Sequence, residues 1–319
     1  MSRLICSATF GRSRETGKEA YPPHRTDATP SEQAQGPASL IIYRHIKRET
    51  LTGLEEERMN SPLSYIGGKS LLAKKIIERF PEHLCYCEVF SGAAWVFFRK
   101  EPSSVEVIND RDEELVNLYR VIQNHFEEFV RQFKYLLISR KIFEILKQQD
   151  TFTLTDIMRA VKFFYLLKIS FGSRTVNQHF GYGTTSKPRL NLLDLEEQIL
   201  EMHWRLARVT IENLEWNDCL ERYDRPHTLF YLDPPYYRTK DYRYNFEESD
   251  FSALASALSQ IQGKFILSLG DHPLMRRLFK DFHIESVTTR YSSGRQSNSK
   301  GKPRQEILIR NYSRKGDSV

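Results

Sequence analysis

The residue types best placed to do chemistry in this chain are Asp233, Pro234 and Tyr236, in the run Leu229-Phe230-Tyr231-Leu232-Asp233-Pro234-Pro235-Tyr236. An apolar, β-prone stretch stops there at a carboxylate, two prolines and an aromatic ring. Proline cannot donate to a ladder, so the run reads as a buried strand that ends abruptly. Asp233 then falls at the carboxyl edge of a sheet, where open α/β folds place their ligands. The prolines fix their own φ angles, and the ring after Asp233 holds it extended. Such a corner presents an acidic side chain, a main-chain carbonyl and a ring as one stiff unit. A planar base bearing an exocyclic amine matches it: two acceptors for the amine, a platform for the ring. The same residues are equally compatible with a plain strand-to-turn junction and a surface tyrosine, so the flanking chain has to decide.

The elements that would position this corner begin upstream. Tyr86-Cys87-Glu88-Val89-Phe90 is a short strand, followed by the small-residue turn Ser91-Gly92-Ala93-Ala94 and an apolar helix from Trp95 to Arg99. Strand, tight turn and helix make the first unit of a nucleotide-binding fold, although the turn is not GxGxxG. A second strand, Val105-Glu106-Val107-Ile108, ends at Asn109-Asp110. Asp110 stands 18 residues beyond Gly92, close to the spacing of the acid that takes a ribose hydroxyl pair in such folds. Asp112 is read as the cap of a helix from Glu113 to Gln123, leaving Asp110 for a ligand. Earlier still, Tyr65-Ile66-Gly67-Gly68-Lys69-Ser70 leads a helix from Leu71 to Phe80. A nucleotide-hydrolase phosphate loop would need glycine at position 63, where Leu63 stands. Tyr65 and Lys69 are instead candidate ligand contacts.

Taken in order, these features resemble the Dam-type family of S-adenosylmethionine-dependent DNA adenine N6-methyltransferases, over residues 59 to about 312. Tyr65 and Lys69 match that family's amino-terminal cofactor motif, and Phe90-Ser91-Gly92-Ala93-Ala94 matches its Phe-x-Gly-x-Gly motif. Asp110 matches the ribose-binding acid, and Asp233 to Tyr236 match the catalytic tetrapeptide. Ala94 departs from the family, which often has glycine there, and puts the tightness of that turn in question. The resemblance implies a Rossmann-like α/β methyltransferase with a mostly parallel sheet and one reversed strand. It also implies a catalytic domain over 59–123 and 209–312 with a helical target-recognition insert over 124–208. S-adenosylmethionine would be held by Tyr65, Lys69, Phe90, Ser91, Gly92, Asp110 and Asp233. Asp218, in the stretch Asn213 to Asp218 after the strand Val209-Thr210-Ile211, is the candidate partner for the cofactor's adenine amine.

Within the insert, Leu154 to Phe171 has the apolar spacing of a core helix through Ile157, Val161, Phe164 and Leu167. A loop to Leu190 follows, carrying Arg174, Asn177, Gln178, Lys187 and Arg189 with several rings and no acid. Amides and basic groups read base edges and hold phosphates, so these residues are the expected contacts to double-stranded DNA. A helix from Leu193 to Arg208 returns the chain. After the tetrapeptide, the loop Tyr237 to Phe246 is rich in Tyr, Arg and Lys. It closes over substrate or grips phosphate through Tyr237, Arg238 and Lys240, or it is simply a solvated, charged loop. A helix from Asp250 to Gln262 and a strand from Phe265 to Leu269 come next, then strands Ile284–Tyr291 and Gln305–Asn311 joined by the basic loop Ser293–Arg304.

Composition supports this without deciding it. The 319 residues are 40% hydrophobic, enough for one large core, and the net charge of +6 suits a polyanion. The four cysteines, Cys6, Cys85, Cys87 and Cys219, form neither a disulfide framework nor zinc knuckles. No metal set is visible, no apolar run reaches the length of a membrane span, and the protein is expected in the cytoplasm. Residues 1–58 lack periodicity and are expected to be a dispensable, disordered extension ahead of a start at Met59, with 313–319 a short tail. The expected reaction is methyl transfer to N6 of a flipped adenine in duplex DNA, with a cognate restriction endonuclease as a further partner. The alternatives are an RNA adenine methyltransferase and a catalytically silent DNA-binding relative.

Overall fold

The computed structural model describes residues 59–63, 65, 69–184, 187, 190–239, 242–290 and 303–313. The expectations for residues 1–58, Arg189, Lys240, most of the Ser293–Arg304 loop and nearly all of the C-terminal tail lie outside the described residues.

Seven strands among the described residues form one sheet: β1 (Cys85–Glu88), β2 (Val105–Asn109), β3 (Thr210–Glu212), β4 (Thr228–Leu232), β5 (Lys264–Gly270), β6 (His283–Arg290) and β7 (Pro303–Arg310). Their order is β3-β2-β1-β4-β5-β7-β6. β1 to β5 pair in parallel. β7 runs antiparallel to both neighbours, β5 and β6, which is the expected single reversed strand. The chain starts in the middle with β1, moves out to β2 and β3, then returns to β4 beside β1. Order reverses between β1 and β4, so the crevice for a ligand lies at their carboxyl ends.

Every residue of β4 is buried, because helices cover both faces of the sheet. Alternation sorts the side chains. Tyr86, Ile108, Leu229, Tyr231, Ile266 and Leu308 face one core; Cys87, Val107, Phe230, Leu232, Phe265 and Ile309 face the other. The first face carries α1 (Ala73–Ile77), α2 (Trp95–Arg99), α3 (Glu113–Asn124), α4 (Phe126–Phe133), α5 (Arg140–Gln148), α6 (Asp156–Ile169) and α7 (Leu195–Leu206). The second carries α8 (Trp216–Tyr223), α9 (Glu248–Leu258) and α10 (Pro273–Leu278).

The insert is not a separate module hung from the sheet. α6 starts at Thr155, whose hydroxyl accepts from the Met158 amide at 3.3 Å, and from Phe163 to Ile169 it is buried on every side. Phe129, Phe133 and Phe164 pack with ring centroids 5.2 to 5.6 Å apart. These residues share one apolar cluster with α3 and with Tyr86 and Tyr231 of the sheet. A helix buried all round belongs to a core, so α6 supports the catalytic sheet as well as the loop that follows it. That loop is pinched: Phe171 N donates to His179 O and Gly181 N to Ile169 O, each at 2.8 Å. No helix among the described residues is long and apolar enough to cross a membrane.

Candidate active site

A cavity of about 210 Å³ opens at the carboxyl ends of β1, β2 and β4. On one side lies the turn after β1. Gly92 has φ +46° and Ala94 φ +50°, both in the left-handed region that glycine visits freely and alanine does not. The turn is held from several directions. Ala94 N donates to Ser91 O at 2.6 Å, the Tyr119 hydroxyl donates to Gly92 O at 2.6 Å, and Gly92 N donates to Asp110 Oδ2 at 2.9 Å. Alanine at position 94 therefore leaves the family's tight turn in place, in a strained conformation.

Asp110 is fastened by the backbone at both oxygens, since Asp112 N also donates to Oδ1 at 2.9 Å. Asp112 caps α3 as expected, accepting from Glu114 N at 3.1 Å. Burial pushes the Asp110 carboxyl up to about 6, against the pull of those amides. Next to it, Glu88 accepts from the Tyr86 hydroxyl at 2.6 Å and from Phe97 N at 3.0 Å. Burial pushes its carboxyl up to about 8, so it stays protonated at neutral pH until a cationic group comes close. The walls are aromatic. Tyr65 stacks on Tyr242 with centroids 6.5 Å apart, and Phe90 meets Phe246 edge-on at 5.5 Å. Tyr242 to Phe246 all line the cavity, and Arg243 pairs with Asp112 at 3.0 Å. The second half of the Tyr237–Phe246 loop therefore forms part of the pocket wall.

On the other side stands the Asp-Pro-Pro-Tyr corner, just past the end of β4. Asp233 lines the same cavity as Gly92 and Asp110. Its Oδ1 lies 2.9 Å from Lys69 Nζ and accepts from Ser268 Oγ at 3.0 Å. Ser268 is in turn 3.2 Å from the Tyr231 hydroxyl. Both contacts fall on Oδ1, which leaves Oδ2 without a partner among the described residues. Burial again raises the carboxyl to about 6, opposed chiefly by Lys69. Tyr236 is seated by its hydroxyl, which bonds Lys69 and donates to Glu306 Oε2 at 2.8 Å. Lys69 Nζ stands 4.3 Å from the centroid of its ring.

The structure thus brings together Tyr65, Lys69, Phe90, Ser91, Gly92, Asp110 and Asp233 around one cavity. Pro234 is buried behind it and Pro235 takes a place in the wall. Asp218 is a correction. It is exposed on α8, bonded to Asn217 at 3.0 Å, while Glu215 and Trp216 line the cavity. The helix stripe Trp216, Cys219, Leu220, Tyr223 faces the core, and position 218 points the other way. Tyr237 is half-buried, its ring packed on Phe251 and His272 at 6.2 and 5.1 Å with the Arg238 guanidinium 5.1 Å from its centroid. Arg238, Arg174 and Lys187 are exposed. Asn177 is exposed with φ +48°; Gln178 is tied to Arg174 O and Lys147. Sequence reasoning missed Glu88, Ser268 and Glu306, each embedded in a strand pattern that reads simply as core.

A model of the D12 class N6 adenine-specific DNA methyltransferases matches residues 65–293. The chain belongs to that family. Among curated relatives, the type II methyltransferase M1.LlaDCHI of Lactococcus lactis subsp. cremoris is 27% identical over 78% of this chain and 94% of its own length. M.MjaIII of Methanocaldococcus jannaschii is 25% identical over 78% of this chain and 98% of its own. M.CviBI of Paramecium bursaria Chlorella virus NC1A is 25% identical over 71% and 89%. The acids and rings around the cavity suit a cationic ligand with a planar ring: carboxyl groups at Glu88, Asp110 and Asp112, ring walls at Tyr65, Phe90 and Trp216.

Proposed function

We propose that this DNA adenine methyltransferase takes its methyl group from S-adenosylmethionine and delivers it to N6 of an adenine flipped out of duplex DNA at a specific site. The observation that carries the reading is the shared cavity, which sets Asp233, with Oδ2 unpartnered among the described residues, beside the turn and acid that suit a nucleoside. S-adenosylmethionine, when bound, supplies a methyl group already activated on a sulfonium. Tyr65, Lys69, Phe90, Ser91, Gly92 and Asp110 are the residues to hold it.

Adenine's N6 lone pair is delocalised into its ring, so the amine is a poor nucleophile. The Asp233 carboxylate and the Pro234 carbonyl accept from its two hydrogens and favour a pyramidal nitrogen whose lone pair faces the donor, an orientation and electrostatic effect in a dry pocket. Extruding the base costs a few kcal/mol, and stacking on Tyr236 returns about 1–3 kcal/mol. Arg174, Asn177, Gln178 and Lys187, with Arg189, Arg238 and Lys240, are the proposed contacts to the duplex. That the relatives are type II methyltransferases supports a cognate restriction endonuclease as partner, and a DNA substrate supports a place in the cytoplasm.

The test is incorporation of labelled methyl groups into duplex DNA, single-stranded DNA and RNA, followed by hydrolysis to nucleosides. N6-methyladenine from duplex DNA alone is the expected product. Methyl transfer confined to RNA, or cofactor binding without transfer, would sink the proposal.

A further inference from the structure

Glu306 is a buried acid for which the reaction just described has no task. It lies opposite Gly270 in the antiparallel β5–β7 register and is 2% exposed. Its Oε2 accepts from the Tyr236 hydroxyl at 2.8 Å and is 3.5 Å from Lys69 Nζ. Lys69, only 4% exposed, is therefore shared between Glu306 and Asp233. The space is tight: a Cβ on Gly270 would come within 3.3 Å of Tyr236 Cδ2. A buried carboxylate costs several kcal/mol unless it is paired and hydrogen-bonded, and an apolar residue would fill the same space without that cost. With Asp233 as its single partner, the Lys69 ammonium, already 2.9 Å from Oδ1, would be free to swing between both carboxylate oxygens and compete with any incoming amine at Oδ2. A second acid divides the ammonium's attention.

We infer that Glu306 is a positioning residue for methyl transfer: by anchoring the Lys69 ammonium and the Tyr236 hydroxyl, it keeps Lys69 on the Oδ1 side of Asp233 and leaves Oδ2 to the adenine amine. The inference rests on the reading of Asp233 as the amine's acceptor. Among the described residues, the charged and titratable groups that face Asp233 are Lys69, Glu306, Glu88 and the Tyr231 hydroxyl. Lys69 pulls the Asp233 carboxyl down and Glu306 pushes it up, so removing each moves it in opposite directions.

The experiment measures kcat and KM on duplex DNA against pH, at saturating cofactor, for the wild type, Glu306→Gln and Lys69→Met. Glu306→Gln is expected to lower kcat on the order of 10²-fold, the cost of a misplaced reacting group, with KM for DNA little changed. Its acid limb moves to lower pH, and that of Lys69→Met moves to higher pH. Where Glu306→Gln does not fold, Glu306→Asp keeps the charge but withdraws it by one methylene; it is expected to lose kcat with its acid limb in place, and wild-type kcat there overturns the inference. A Glu306→Gln protein that melts earlier yet keeps both kcat and the acid limb makes Glu306 merely structural and overturns it too. Near-wild-type turnover in Asp233→Ala would strike the reading of Asp233 and this inference together, whereas the other failures strike Glu306 alone.

Discussion

Two carboxylates at the same sheet edge, Asp110 and Asp233, are both raised by burial to about 6, yet they are held in opposite ways. Asp110 is gripped by main-chain amides from its own neighbourhood, Gly92 and Asp112. Asp233 is gripped by side chains brought in from elsewhere, Lys69 from ahead of α1 and Ser268 from β5. Backbone amides cannot titrate or swing away, so Asp110 is fixed for holding a ligand. An ammonium and a hydroxyl can shift when substrate arrives, so Asp233 is adjustable. The group proposed to bind and the group proposed to act on the amine thus receive different supports on one scaffold.

The sharpest way to break this comparison is Asp233→Ala. Transfer of labelled methyl to duplex DNA should fall by about 10³-fold, on the scale of losing a preorganised group at the reacting atom, while circular dichroism and cofactor affinity stay near wild type. Asp110→Asn should act on the other corner. Titration calorimetry should show cofactor affinity down by about 10–100-fold, the worth of a hydrogen bond to a charged group, with kcat at saturation largely kept. Its second readout is stability. The folded Asp110 carboxyl titrates at about 6 against an ordinary value of 3.8, so ionisation works against the fold. The wild type should therefore lose stability relative to Asp110→Asn as pH rises from 3.8 toward 6, and little more above that.

Ser268→Ala removes one donor that steadies the ionised form of Asp233. The acid limb of kcat should move upward in pH while cofactor affinity is unchanged; a limb that stays in place would mean that Ser268 does not tune the acid. Smallest of all is Ala94→Gly. Relief of the left-handed strain, less the added freedom of the unfolded chain, should raise stability by about 0.5–1 kcal/mol in denaturant melts, with activity intact.

How much of this was legible in the sequence follows the same division. The Asp110 corner is written within residues 88–112, where strand, small-residue turn, strand and acid follow one another at readable spacing. The Asp233 tetrapeptide was legible because proline stops a strand. Its supports were not, because Lys69 is 167 residues from Tyr236 and Ser268 and Glu306 sit inside runs that read as plain buried strands. Asp218 was misplaced because the short helix Trp216–Tyr223 went unread, and only helical geometry shows that position 218 turns away from residues 216 and 219. The insert was readable as helices by its apolar period. That the second half of α6 is buried all round and shares a core with the sheet depends on the Phe129, Phe133 and Phe164 packing, which no local pattern specifies.

The reversal of β7 has a temporal side. Because that strand runs against its neighbours, its early residues, Glu306 among them, land at the carboxyl edge of β5 beside Gly270. During synthesis the small-residue turn and Asp110 are complete long before Glu306 emerges, and Tyr236 and Lys69 meet that acid only when β7 zips onto β5. A nascent chain would then hold the acid and turn of the pocket well before the last support of the Asp233 corner.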